Sequence, residues 1–226
     1  MQLKVEILDY TKNPLTKIGE CASHCYDTKL KDENHAQRIG KHCLSSGHGR
    51  NMELARVTLK ITASARVIRE LYTHIGGSPT RLQASTRYIT YDNFDYYTPS
   101  GLTEEQEKCY HNLMDTIKET YKGLKLQDVK NDITGYILPL AMQSTMILDC
   151  NARMLENLFG QRLCTRALAE FRQLANIMKK EIKNLDEEWN WIAENHFKVK
   201  CQQLGFCPEK SKTCPMLKLI GGVEND

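Results

Sequence analysis

The segment from residue 66 to residue 88 combines several arginines and hydroxyl side chains with a Gly-Gly pair. A guanidinium group can hold two oxygens of one phosphate, and hydroxyl and backbone N–H groups can take the remaining oxygens. Glycines allow backbone conformations that other residues avoid. The segment therefore predicts a phosphate-binding site, with a solvated basic loop as the alternative. The residues concerned are Arg66, Arg69, Thr80, Arg81, Ser85, Thr86 and Arg87.

A second polar set follows Asn151, where a helix is predicted to begin. Arg153, Asn157 and Arg162 are separated by four and five residues, so they can share one broad helix face. Arginine and asparagine together favour a polyanion or an amide-rich ligand. The alternative is an ordinary solvated helix face.

Two histidines stand close to glycines. His48 lies between Gly47 and Gly49, and His74 precedes the Gly-Gly pair. A histidine beside glycines is often packed close to a ligand or to another backbone. Either residue can instead be structural, because a helix C-terminus, where His74 is predicted, favours histidine electrostatically.

The nine cysteines are spread from Cys21 to Cys214. Cys201, Cys207 and Cys214 lie near the C-terminus, with His196 as a possible fourth metal ligand. Their spacing lacks the short gap typical of zinc sites, so we expect no metal, with a structural metal ion as the alternative. No cysteine lies in a glycine-rich setting with a nearby histidine, which argues against thiol catalysis. GxGxxG, Walker, HExxH and GxSxG motifs are absent from the sequence.

The 226-residue chain has a net charge of only +3, which does not predict a nucleic-acid partner. Its first ten residues do not resemble a signal peptide, and its longest apolar stretch, 137–142, is too short to cross a membrane. The odd number of cysteines favours reduced thiols and a cytoplasmic location.

The elements that must position these residues follow from the hydrophobic pattern. Strands are predicted at 2–8, 54–61 and 142–150, and β-forming residues favour another at 87–91. Helices are predicted from Pro14, over 33–45, 63–73, 103–122 and 165–183, near Asn151, and after Asp186. We predict an α+β fold with a small antiparallel or mixed sheet, flanking helices and a C-terminal helical part. One domain is expected over 1–200, followed by a cysteine-containing tail over 201–226.

The order of the motifs is more specific than any one motif. Gly47-His48 and Glu53 are followed by His74, a loop ending in Ser85-Thr86-Arg87-Tyr88, and an Asn151-Ala152-Arg153 segment with Asn157 and Arg162 downstream. This series resembles the flavin-dependent thymidylate synthases, over residues 3–195.

The resemblance implies a homotetramer with active sites between subunits. Such enzymes methylate dUMP to dTMP with methylenetetrahydrofolate as carbon donor. FAD, reduced by NADPH, provides the hydride, and no cysteine nucleophile is needed. The expected partners are these small molecules, without nucleic acid or membrane.

By position, the resemblance assigns roles to two groups of residues. FAD contacts fall on His48, His74, Asn151, Arg153 and Asn157, and nucleotide contacts on Glu70, Gln83, Ser85, Thr86, Arg87 and Arg162. Ser85 and Arg87 would hold the phosphate. Arg162 would contact the pyrimidine and favour ionisation of its ring N–H, which makes it the predicted catalytic residue.

The Arg-His-Arg motif of the family reads Thr73-His74-Ile75 in this chain. Each lost charge-assisted hydrogen bond would weaken anion binding by about 1.5–3 kcal/mol. Arg50 and Arg81 are cations absent from the family pattern, and we hypothesise that they substitute for the missing pair in cofactor binding.

Three functions remain open from the sequence. The first is a divergent thymidylate synthase. The second is a flavoenzyme of the same fold that modifies another pyrimidine nucleotide, because Glu70 and Gln83 depart from the family at nucleotide-contacting positions. The third is a non-catalytic or metal-stabilised relative.

Overall fold

The computed structural model describes residues 1–220. Its strands are β1 Lys4–Tyr10, β2 Arg56–Ser64, β3 Thr80–Gln83 and β4 Gln143–Asn151. Its α-helices are α1 Pro14–Ser23, α2 Glu33–Ser45, α3 Ala65–His74, α4 Glu104–Leu126, α5 Asn131–Thr134, α6 Ala152–Arg162, α7 Ala169–Lys183, α8 Glu187–Asn195 and α9 Lys200–Leu204. Short 3-10 turns occupy His24–Tyr26, Gly49–Leu54, Gly135–Ile137 and Pro215–Ile220.

The four strands form one antiparallel sheet in the order β1-β2-β4-β3. Leu59 of β2 lies opposite Ile7 of β1 and Leu148 of β4. Because side chains alternate along a strand, this register places the apolar residues of neighbouring strands on one face. That face packs against α3, α6 and α7. The predicted α+β fold with a small antiparallel sheet is therefore confirmed.

Five helices begin at a side chain that accepts a hydrogen bond from the first turn. These caps are Asp32 of α2, Ser64 of α3, Thr103 of α4, Asn151 of α6 and Asp186 of α8. Each cap satisfies N–H groups that have no partner inside the helix. The predicted starts at Thr103, Asn151 and Asp186 are confirmed.

One predicted strand was wrong, and several predicted helix ends differ from the structure; α7, for example, begins at Ala169 rather than at residue 165. Residues 87–91 form turns rather than a strand, because Thr80–Gln83 already occupies the neighbouring edge of β4. Strand-forming residue types stabilise a strand only where a partner edge is available. In addition, α4 runs through Gly123, its predicted end, and stops at Leu126, before the left-handed Asp128 (φ +59°).

The core is filled by large side chains of the sheet and the C-terminal helices. Phe159, Phe171, Trp189 and Phe197 are fully buried.

Within residues 1–220, every helix is too short or too polar to cross a membrane. The tail predicted at 201–226 starts inside α9, and this helix packs against α6. Residues 221–226 of the predicted tail lie outside the described part of the chain. The division into a domain and a tail stays a prediction.

Candidate active site

The loop after α3 and the first half of α6 border a half-open cavity of about 470 Å³, which we call the glycine-loop cavity. It is lined by Glu53, Ile75, Gly76, Gly77, Ser78, Asn151, Arg153, Met154 and Asn157. The structure thus brings Asn151, Arg153 and Asn157 to the loop that follows His74, whereas Arg162, predicted on the same helix face, does not line this cavity. Residues 74 and 151 are far apart in sequence, and the sheet and core place them side by side.

The Gly-Gly pair allows this loop to lie directly on α6. Gly76 and Gly77 have φ values of +74° and +60°, a region that residues with a Cβ rarely adopt. A Cβ on Gly76 would stand 2.9 Å from Asn157 Nδ2. Asn157 Nδ2 in turn lies 3.4 Å from the carbonyl oxygen of His74 and 3.3 Å from that of Ile75, and donates to both. Asn157 therefore fixes the loop that carries His74.

Arg153 and Asn151 also have partners within the chain. Arg153 Nη1 lies 2.9 Å from Glu53 Oε1, in a pair that is about half exposed. Asn151 is buried, and its Oδ1 accepts the N–H of Met154 at 3.0 Å as the cap of α6. Within residues 1–220 the Asn151 side-chain amide donates no hydrogen bond and so remains available to a ligand.

A second cavity, of about 350 Å³, lies beside the predicted phosphate-binding turn. Its lining consists of Thr86, Arg87, Asn131, Asp132, Gly135 and Tyr136. Arg87 N–H donates to Ser85 Oγ at 3.1 Å, which gathers the predicted serine and arginine in one turn. The Ser85 hydroxyl and the Arg87 backbone thus belong to one turn, and the side chains of Thr86 and Arg87 line the cavity beside it.

Asp132 also lines this second cavity, although nothing in the sequence pointed to this residue. Its Oδ1 lies 2.7 Å from Arg87 Nε, and the hydrogen bond raises the pKa of Arg87 while lowering the pKa of Asp132. The two residues are 45 positions apart, so no local motif could have paired them. An incoming phosphate would compete with Asp132 for the guanidinium.

Arg162, the predicted catalytic residue, lies at the end of α6 and lines neither of these cavities. Its guanidinium stacks over the Phe171 ring, with 5.3 Å to the centroid. Burial lowers the pKa of Arg162, and the negative charge of Glu70 raises it. Among the described residues, its buried Nε has no hydrogen-bond partner. An unsatisfied buried donor is costly, so the position of Arg162 calls for an explanation. Because Nε itself is covered by the protein, a ligand could reach only the exposed part of the guanidinium.

Arg81 and Gln83 lie on the edge strand β3. Arg81 Nη1 donates to the Tyr72 carbonyl oxygen at 3.0 Å, and its guanidinium stacks on the Tyr72 ring. Gln83 Nε2 donates to Ser144 Oγ at 3.4 Å. Arg81 therefore holds the last turn of α3, two residues before His74.

His48 and Arg50 are exposed in the turn before β2. Within residues 1–220 neither side chain forms a hydrogen bond or an ion pair. Their predicted roles at the cofactor stay predictions.

Glu70 pairs with Arg66, with 3.7 Å between Glu70 Oε1 and Arg66 Nε. It also lies close enough to Arg162 to influence the pKa of that arginine.

Comparisons with known proteins agree over most of the chain. A family model described as thymidylate synthase complementing protein matches residues 6–186. The flavin-dependent thymidylate synthase of Clostridium tetani is 29% identical over 242 residues, covering 95% of this chain and 94% of that protein. The enzyme of the same name from Pyrococcus furiosus is 30% identical over 232 residues, covering 94% and 92%.

Two solved structures share the fold. Thymidylate synthase X from Helicobacter pylori, with FAD and dUMP, has a TM-score of 0.67 at 19% identity and covers 87% of this chain and 100% of that one. The UMP/dUMP methylase PolB from Streptomyces cacaoi, with 5-Br dUMP, has a TM-score of 0.68 at 17% identity and covers 88% and 97%.

Proposed function

Because this chain belongs to the thymidylate synthase complementing protein family, we propose that it is a flavin-dependent thymidylate synthase. It methylates dUMP to dTMP, with methylenetetrahydrofolate as carbon donor and NADPH as reductant. The observation that carries the proposal is the family match over residues 6–186. The glycine-loop cavity supports it, because it gathers Asn151, Arg153 and Asn157.

The residues of the glycine-loop cavity fit FAD. Arg153 supplies a guanidinium for a phosphate, the Asn151 amide and Ser78 hydroxyl supply further donors, and Met154 supplies an apolar surface. FAD held by these residues would supply hydride-transfer chemistry, linking NADPH to the reduction of the one-carbon unit. Arg153 is released from Glu53 at low cost, since an exposed ion pair is worth about 0–1 kcal/mol.

The turn at residues 85–87 fits the nucleotide phosphate. Ser85 and Arg87 donate to phosphate oxygens once Arg87 leaves Asp132. Arg162, whose guanidinium is partly exposed, directs its positive charge to the uracil ring. A cation beside the ring favours loss of the N–H proton, because it stabilises the negative charge that remains.

We place the complete active site between subunits of a homotetramer. The two cavities share no lining residue, and Arg162 lines neither of them. Exposed apolar side chains surround the phosphate-binding turn, including Tyr88 at 83% and Tyr136 at 90% exposure. A second subunit would cover them and bring the separate parts together. The free cysteines suit a reducing compartment, which supports the cytoplasm as its location.

The proposal is tested by turnover of the purified protein with FAD, NADPH and methylenetetrahydrofolate. dTMP should form from dUMP only when all three are present, and the bound-flavin absorption spectrum should shift when dUMP is added. UMP and dCMP serve as competing substrates. Methylation of either one in preference to dUMP, or flavin binding without any methylation, would contradict the proposal.

A further inference from the structure

Glu170 is a buried carboxylate to which the proposed mechanism gives no role. It stands in the first turn of α7, and only 2% of its surface is exposed. Its Oε1 accepts the backbone N–H of Ser64 at 2.8 Å, and its Oε2 accepts the Ser64 hydroxyl at 2.7 Å. Burial raises the pKa of Glu170, and these hydrogen bonds lower it. Because a carboxylate is costly to bury without partners, both oxygens depend on Ser64.

Ser64 is the point at which β2 ends and α3 begins. Its Oγ donates to Glu170 and also accepts the N–H of Val67 at 3.2 Å, which makes Ser64 the cap of α3. One carboxylate therefore fixes the backbone and the side chain of the residue from which α3 starts. Since α7 supplies that carboxylate, the contact ties the N-terminus of α3 to the N-terminus of α7.

α3 carries two residues of the proposed active site. Glu70, in its second turn, lies close enough to Arg162 to influence the pKa of that arginine, and His74 ends the helix. The last turn of α3 and the loop after it have other supports, because Arg81 and Asn157 donate to backbone carbonyl groups there. The contact with α7 therefore matters most for the first half of α3, on the side of the nucleotide.

α7 carries the support of the Arg162 guanidinium. Phe171 directly follows Glu170 in the chain and is fully buried. The Arg162 guanidinium stacks over the Phe171 ring, with 5.3 Å from its carbon atom to the ring centroid. A shift of the first turn of α7 would therefore move the surface on which the guanidinium rests.

We propose that Glu170 is a positioning residue of the nucleotide site. By holding Ser64, it fixes α3 relative to α7 and so sets the Arg162 guanidinium against the pyrimidine ring. Glu170 lines neither the glycine-loop cavity nor the cavity beside the phosphate-binding turn, so it acts through Arg162 rather than on the ligands. The inference rests on the proposed function, because it takes Arg162 as the residue that contacts the pyrimidine.

Glu188 provides a matched control, because it makes the same kind of contact elsewhere in the fold. It stands in the first turn of α8 and is 5% exposed. Its carboxylate accepts the Thr16 backbone N–H at 2.9 Å and the Thr16 hydroxyl at 2.6 Å. Thr16 lies in α1, which carries none of the predicted site residues. The two carboxylates thus have similar structural roles but different relations to the nucleotide.

The test compares Glu170→Gln with Glu188→Gln in titrations of the full-length protein with FAD and then with dUMP. Each substitution keeps the size of the side chain and replaces one accepting oxygen by an amide that cannot accept. Urea unfolding should therefore show a similar loss of stability in both. Only Glu170→Gln should weaken dUMP binding, by about tenfold, while FAD affinity stays unchanged. If Glu170→Gln does not fold, Ser64→Ala removes the hydroxyl from the other side of the contact and should produce the same selective loss.

The pH dependence of turnover gives a readout that a loss of stability alone would not move. A cation beside the ring lowers the pKa of the ring N–H, so a displaced guanidinium leaves that pKa higher. Turnover of Glu170→Gln at saturating dUMP should therefore shift to higher pH, whereas Glu188→Gln should keep the wild-type profile.

Three outcomes would overturn the role of Glu170. These are equal dUMP affinity in the two variants, a parallel loss of FAD and dUMP binding in Glu170→Gln, or no dUMP binding by the wild-type protein. If the wild type binds dUMP without turning it over, the proposed function fails by itself, because the dUMP titration still measures the effect of Glu170.

Discussion

At the scale of single residues, the two arginines predicted to bind phosphates already have carboxylate partners. Arg153 is paired with Glu53, and Arg87 with Asp132, both at the surface. Exposed pairs of this kind are worth about 0–1 kcal/mol, whereas hydrogen bonds to a charged ligand contribute about 1.5–3 kcal/mol. The phosphates of FAD and dUMP should therefore displace the carboxylates.

For the cofactor, we expect Arg153→Ala to weaken FAD binding by about 10- to 100-fold, the loss of one charge-assisted contact. Titration of the protein with FAD, followed by flavin fluorescence, measures the change. Glu53→Gln is the matched control: it removes the competing carboxylate, so affinity should stay equal or rise. Equal affinity of Arg153→Ala and the wild type would exclude Arg153 from the FAD site.

For the nucleotide, Asp132→Asn should increase dUMP affinity several-fold, because it removes both a competitor for Arg87 and a negative charge beside the phosphate. Arg87→Ala should lower dUMP affinity by about tenfold or more. Both changes are read from the dUMP-dependent shift of the flavin spectrum. If neither variant alters the midpoint of that titration, the phosphate binds elsewhere.

Arg81 offers a test of how the chain compensates for the altered Arg-His-Arg motif. We expect Arg81→Ala to weaken FAD or dUMP binding sharply. Arg81→Lys separates two causes. If only the positive charge is needed, this variant should bind with near wild-type affinity. If the stacking of the guanidinium on Tyr72 is needed to hold the end of α3, the variant should bind as weakly as Arg81→Ala. Affinity unchanged by Arg81→Ala, in the same titrations, would refute the compensation hypothesis.

At the scale of elements, the contact between α1 and α2 depends on two glycines. A Cβ on Gly19 would stand 1.8 Å from the carbonyl oxygen of Ala36, and one on Gly40 would stand 2.0 Å from that of Leu15. Neither contact can be relieved by rotating a side chain, because the obstructing atoms are backbone. The helices can lie this close only because both positions lack a side chain.

Gly19→Ala should therefore lower the free energy of unfolding by about 1–3 kcal/mol, as the two helices are forced apart. Gly123→Ala, inside α4, is the control: apart from its chain neighbours and the backbone of its own helix, no atom would lie within 4 Å of the added Cβ, and the substitution should stabilise the helix by about 1 kcal/mol. Urea unfolding followed by circular dichroism compares the two. Stabilisation by both substitutions would show that α1 and α2 are not in close contact.

At the scale of the whole molecule, the proposed active site requires more than one chain. We expect the protein to sediment at four times its 26.0 kDa chain mass. FAD affinity and turnover should fall together as dilution dissociates the tetramer, because each subunit supplies only part of the site. Analytical ultracentrifugation with detection of flavin absorbance measures both properties. If the monomer binds FAD with undiminished affinity, the active site is not shared between subunits.

The sequence by itself determined most elements, the α+β class and the family. Period-two and helical hydrophobic patterns located β1, β2 and β4 and the longer helices, and the cap residues at Thr103 and Asp186 marked two helix starts. These features are local, because a strand or helix is specified by neighbouring residues. The order and spacing of the motifs that carry the family resemblance are likewise properties of the sequence, so they can be recognised without the tertiary structure.

Only the tertiary structure decided which distant residues meet. It paired Arg87 with Asp132, laid the Gly-Gly loop against Asn157, and placed Cys164 rather than His196 with the cysteines of the tail. It also assigned the edge of β4 to Thr80–Gln83 instead of the strand-forming residues 87–91. Such contacts depend on how packed elements bring separate segments together, and no local pattern encodes that arrangement.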